Sequence, residues 1–153
     1  MKKILILITL LLTITANTQA QTKVVNKNKM PKCVINFIES NYNDREVICY
    51  QIDFTNYNFN KIEDYEVLYE NGTKLEFLKN GNLKSIDCGR LEHVKWDILP
   101  DKLSEFVITK FMREYVMEYS IEYKFKKPYK YEIELSNGLE LTFNKKYKLI
   151  DID

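Results

Sequence analysis

The chain has 153 residues and carries 23 basic against 22 acidic side chains, with a single histidine and three cysteines. That length suits one compact domain with a core of its own. Near-neutral charge with both signs interspersed offers no electrostatic footprint for nucleic acid or for an anionic membrane.

The first twenty residues read as an export signal. Lys2 and Lys3 form a positive start, Ile4 to Ile14 form an apolar stretch interrupted by threonines, and Thr18 and Ala20 stand at −3 and −1 before Gln21. The apolar core is shorter than the roughly 18–20 residues a membrane span requires. No cysteine lies near the cleavage point, which disfavours a lipid anchor. The product is expected to be periplasmic or secreted, with no membrane insertion after signal removal. Losing Lys2 and Lys3 leaves 23 − 2 = 21 basic residues against 22 acidic, a net charge of −1.

Residues 21–29 read as an N-terminal tail and 30–88 as a first structural repeat. Pro31 suits the start of a helix, and Val34, Phe37, Ile38 and Tyr42 follow at helical spacing. The period then switches to two, predicting strands near 46–54, 63–70, 73–79 and 82–88. Asn71-Gly72 predicts a type I′ hairpin turn, which needs positive φ at both central residues. A second turn falls at Lys79-Asn80-Gly81-Asn82.

Residues 89–99 read as a linker, with Trp96 packed on the seam. The second repeat, 100–153, starts at Pro100, and Leu103, Phe106, Val107 and Phe111 take the helical positions. Strict alternation marks strands near 117–125, 129–136, 139–144 and 147–152, each with one buried and one solvated face. Asn137-Gly138 repeats the hairpin signal. Asn144-Lys145-Lys146-Tyr147 lacks a glycine, so a different turn type is expected there.

The halves match residue by residue. Tyr65-Glu66-Val67, Asn71-Gly72, Leu75, Phe77, Lys79, Leu83 and Ile86-Asp87 return as Tyr131-Glu132-Ile133, Asn137-Gly138, Leu141, Phe143, Lys145, Leu149 and Ile152-Asp153, an offset of 66. The helices match at 69, from Pro31 to Pro100. The expected fold is α+β: a tandem duplication of a helix plus a four-stranded antiparallel meander. Its halves join into one large antiparallel sheet with helices on one face. Joining them shares a core and removes one exposed edge from each. The proline-led helix followed by YEV, NG, LEF and ID, twice, resembles the PepSY-like periplasmic proteins, whose fold is that of the beta-lactamase inhibitory protein. That resemblance implies a duplicated helix-plus-sheet architecture and bacterial export. It transfers no catalytic residues.

Reactive constellations are thin. His93 lies in the linker (Leu91-Glu92-His93-Val94) without a strained nucleophile turn nearby. One histidine and scattered Cys33, Cys49 and Cys88 lack zinc-ligand spacing. No catalytic residue, cofactor or metal ligand is assigned. The thiols are expected to be free and largely buried. Glu118, Glu122, Glu132, Glu134 and Glu140 alternate with lysines, as on a solvated sheet face. Most tyrosines, including Tyr65, Tyr69, Tyr119, Tyr123 and Tyr131, fall in the apolar phase and are expected in the core.

Candidate contacts lie where the halves disagree. Val47, Cys49, Leu68 and Leu78 fall in the outward phase of the first half, where the counterparts of the two leucines are Glu134 and Asn144. Clustered, they would form an apolar partner patch. Tyr57 and Phe59 in the polar loop 55–61 are the other candidates. The reading is a non-catalytic exported module that binds a protein or peptide through the open sheet face or these loops. An accessory envelope protein acting by self-association, or within a complex, is the alternative.

Overall fold

The computed structural model describes residues 21–54, 61–89 and 92–153. Helix α1 spans Lys32–Asn41 and α2 spans Asp101–Lys110. In each a proline holds the N-cap position in extended backbone: Pro31 at φ −58°, ψ 144° and Pro100 at φ −53°, ψ 134°. The ring sets φ and supplies no N–H that would need a partner. Val34 and Ile38 of α1, and Leu103 and Val107 of α2, face inward.

Nine strands form one sheet in sequence order, every pair antiparallel. They are β1 (Gln21–Val25), β2 (Val47–Phe54), β3 (Ile62–Tyr69), β4 (Lys74–Leu78), β5 (Leu83–Asp87), β6 (Val116–Lys124), β7 (Lys127–Leu135), β8 (Glu140–Asn144) and β9 (Leu149–Ile152). Strand β5 pairs with β6 through Ser85↔Ser120, Ile86↔Tyr119 and Asp87↔Glu118, which fuses the two meanders. The expected tail corrects to a strand: Lys23 pairs with Ile52 and Val25 with Tyr50, so β1 occupies the edge beside β2. Short and polar at Gln21-Thr22-Lys23, it carries no hydrophobic run that would announce it.

Both helices lie on the same sheet face. Residues across the register from Val67 through Leu75, Ile86, Tyr119 and Ile133 to Leu141 are buried and form the core floor. Onto it α1 places Phe37 edge-on against Phe77, with centroids 5.4 Å apart at 76°. α2 places Phe106 against Phe143 at 5.2 Å and 85°. The helix residues stand 69 apart and the strand residues 66, the two offsets of the sequence match. One backbone bond also recurs: Glu70 N–H donates to Glu46 O at 3.0 Å, and Ser136 N–H to Tyr115 O at 2.8 Å.

The turns differ from expectation. Asn71-Gly72 does not form a type I′ turn, because only Gly72 has positive φ (85°). The loop holds three residues: Gly72 N–H donates to Tyr69 O, and Tyr69 N–H donates to Thr73 O. This is a type I turn closed by one left-handed residue. Gly138 (φ 83°) and Gly81 (φ 81°) close theirs the same way. The fourth turn does not change type. Tyr147 takes the glycine's place at φ 61°, and its N–H donates to Asn144 O at 2.8 Å. Its ring stays packed on Tyr131, 4.9 Å away, which offsets the strain.

Strand β6 also ends one residue early. Phe125 (φ 52°) and Lys126 (φ 64°) are the central residues of a two-residue turn between Lys124 and Lys127. The apolar phase therefore stops at Tyr123, whose hydroxyl donates to Leu83 O at 2.7 Å, and Phe125 stands in solvent. Tyr65, Tyr69, Tyr119 and Tyr131 are core residues as their phase predicts.

Candidate functional site

Among the described residues no other element covers the sheet face opposite the helices. Antiparallel partners point to the same side, so its side chains follow from the register. One row runs from Cys49 through Leu68, Lys74, Asp87, Glu118 and Glu134 to Glu140. The next holds Gln51, Glu66, Glu76, Ser85, Ser120, Glu132 and Thr142. Asp53 and Asp64 lie beyond in the first half, Glu122 and Lys130 in the second. Lys74 bonds Glu76 at 2.6 Å, Lys84 bonds Asp64 at 2.7 Å, and Lys130 bonds Glu132 at 2.8 Å. Those lysines are outnumbered, and the face is acidic.

The excess has titration consequences. Burial, then the charge of Asp53, pushes the Glu66 carboxyl up to about 6, although Lys74 opposes the shift. Burial, then Asp87 and Glu134, raises Glu118. Glu132 goes the other way because Lys130 donates a hydrogen bond to it. Where a lysine is close the carboxylate is comfortable. At Glu66 and Glu118 the negative charge is under-compensated.

The apolar candidates do not assemble there. A bulge between Val47 and Cys49 reverses the strand's phase, so Val47 faces Tyr69 and packs against the core. Cys49 and Leu68 are register partners on the open face. Leu78 pairs with Asp64, and the Glu66–Glu76 row separates it from Leu68. The contiguous patch therefore resolves into the Cys49–Leu68 pair and a separate Leu78, all half-buried. Tyr57 and Phe59 lie outside the described residues. The three cysteines are unpaired; Cys88 is buried and Cys49 partly so, but Cys33 is exposed on α1, against expectation.

Comparison with known proteins now bears on this architecture. The family described as "Putative beta-lactamase-inhibitor-like, PepSY-like" matches residues 63–151, from β3 into β9. A Bacteroides thetaiotaomicron structure described as a "putative calcium-regulated periplasmic protein" is 32% identical, with a TM-score of 0.76 over 86% of this chain and 96% of that one. The chain belongs to the PepSY-like family. A Bacteroides vulgatus periplasmic protein of the DUF2874 family is 26% identical, at a TM-score of 0.76 over 87% and 97% of the two chains. A second B. vulgatus periplasmic protein, 22% identical, shares the fold at a TM-score of 0.74 over 87% of this chain and 99% of that one. No curated protein matches.

The fold of this PepSY-like chain also builds a cleft of about 580 Å³, where the linker passes the β7–β8 turn. Glu92, His93, Tyr115, Glu134 and Ser136 line it. The linker gives His93 no strained nucleophile turn, and the tertiary fold sets it in one cleft with Ser136. The Ser136 hydroxyl, however, donates to Glu114 at 2.6 Å and accepts from Tyr115 N–H at 3.0 Å, so it braces the turn. The His93 ring packs tilted against Tyr115, with centroids 4.9 Å apart. Glu92 is bound by Arg45 and by Asn71. Glu92 is thus occupied in holding the linker and Ser136 in bracing the β7–β8 turn.

No helix among the described residues is long and apolar enough to cross a membrane. Even distribution of charge, by contrast, does not hold. Carboxylates gather on the open face, while the turns at one sheet end carry exposed lysines. Sequence alternation shows which side of a strand a charge takes, but not which end of the sheet collects it.

Proposed function

We propose that this chain is an exported, non-catalytic binding module that holds a basic protein or peptide on its open sheet face. The observation that carries this is the excess of carboxylates over lysines across the register rows of a broad face that no helix among the described residues covers. A cationic partner would relieve that repulsion, and its lysines or arginines would gain charge-assisted hydrogen bonds. Export rests on Lys2, Lys3 and the apolar stretch before Gln21, and the periplasmic description of the similar structures supports it.

Calcium regulation belongs to the description of the B. thetaiotaomicron protein. The described residues of this chain gather no group of three or more acidic, histidine or cysteine side chains suited to a metal. A divalent cation would act here as a competitor for the acidic face.

The test is capture from periplasmic extract on the immobilised mature chain. Glu118→Lys with Glu134→Lys should abolish capture, added calcium should weaken it, and Leu68→Glu should leave it intact. Capture that survives the charge reversals but is lost with Leu68→Glu would replace this reading with an apolar contact. A second reading, accessory assembly by self-association, draws on the sheet's two outer strands, where Val24 on β1 and Ile152 on β9 are exposed. Light scattering of the pure chain discriminates: a monomer across concentrations removes it.

A further inference from the structure

The turns β4–β5, β6–β7 and β8–β9 all emerge at the same end of the meander, since each links an even-numbered strand to the odd-numbered strand that follows it. They present Lys79, then Lys124, Lys126 and Lys127, then Lys145 and Lys146, all exposed and none in an ion pair among the described residues. No acidic residue sits in any of the three turns. Adjacent strands stand about 4.8 Å apart, so the lysines spread along a line of roughly 20 Å.

At the centre of that line is Phe125, 89% exposed. Its φ of 52° places a bulky side chain in the left-handed region, followed by Lys126 at 64°. Asn-Gly would make this two-residue turn without strain, and the chain uses Asn-Gly in three of its other turns. Here it instead presents an aromatic ring between lysines at the outermost point of the hairpin. Tyr129 and Ile150, both half-exposed, line an open groove of about 450 Å³ with Lys145, Lys146 and Lys148 on its rim, where Lys130 is held by Glu122 and Glu132. Lys124 lies over the Tyr129 ring at 5.2 Å.

We propose that this sheet end docks the exported protein on an anionic lipid surface, with Phe125 seated at the headgroup level and the lysines on the phosphates. Polybasic attraction combined with a shallow apolar anchor is the two-signal arrangement that peripheral membrane binding needs. A small free anion would make no use of the Phe125 ring. A flat surface uses all three turns together. The acidic open face is repelled by the same headgroups, so the sheet stands on its basic end and the face remains clear for a partner. This contact is separate from the binding proposed above and does not depend on it.

The experiment is flotation of the mature chain with vesicles of phosphatidylglycerol and phosphatidylcholine in equal parts, against phosphatidylcholine alone. Binding is expected only on the anionic vesicles and should fall steeply with salt. Lys126→Glu and Lys127→Glu should each weaken it at least about fivefold. Phe125→Asn should weaken it while raising thermal stability, so that loss of binding is not loss of fold. Absence of binding to the anionic vesicles, or binding indifferent to these substitutions, overturns the proposal. Equal capture on soluble polyglutamate, with Phe125→Asn without effect on either probe, also overturns it and makes this end a contact for an acidic protein.

Discussion

At single residues, the structure separates glycines that look alike in sequence. Gly72 and Gly81 both hold left-handed backbone, but a Cβ on Gly72 meets open space, whereas on Gly81 it collides with Cys33 Sγ. Gly72→Ala should therefore cost about 1–2 kcal/mol, the backbone strain alone. Gly81→Ala should cost more, and the excess should vanish in a Cys33→Ala background, as read by urea denaturation. Glu66 gives a pH signature. Its pKa is raised, so between about 4.5 and 6 the folded chain holds a proton that the unfolded chain releases, and stability falls as pH rises through that window. Glu66→Gln should raise the melting temperature at pH 7, with the gain fading as the pH drops below the ordinary carboxylate value.

Among the elements, the two helices should prove energetic equivalents. Phe37→Ala and Phe106→Ala each remove one edge-on aromatic contact on a half-buried side chain, and each should cost about 2–3 kcal/mol by chemical denaturation. The β6–β7 hairpin carries strain that can be removed. Phe125→Asn with Lys126→Gly should stabilise the chain by about 1–2 kcal/mol, because the left-handed cost disappears and an exposed ring loses no packing. Strand β1 matters for a different reason. Deleting residues 21–25 would bare the backbone of β2 and break the Thr22–Asp53 hydrogen bond of 2.5 Å. The expected outcome is association visible by light scattering, since an unprotected edge templates further pairing.

For the whole molecule, what the sequence determined by itself is the order and phase of the elements. Alternation over Glu118 to Tyr123 and Tyr131 to Leu135 fixes which residues face the helices, because the strand period of two leaves one solution once one face is buried. The prolines and paired phenylalanines announce both helices in the same way. Each of these signals is local. The remaining features depend on neighbours distant in sequence. A bulge turned Val47 inward, and an intervening pair of glutamates separated Leu68 from Leu78. The linker set His93 in one cleft with Ser136, and chain reversal at every second turn gathered lysines from Lys79 to Lys146 at one end of the sheet. Net charge could not reveal that gathering, because a sum retains no positions. The candidate site was legible as a solvated face. That the face is acidic, and that the opposing charge stands apart at one end, was decided only by folding, which sets charges side by side across strands that the sequence holds far apart.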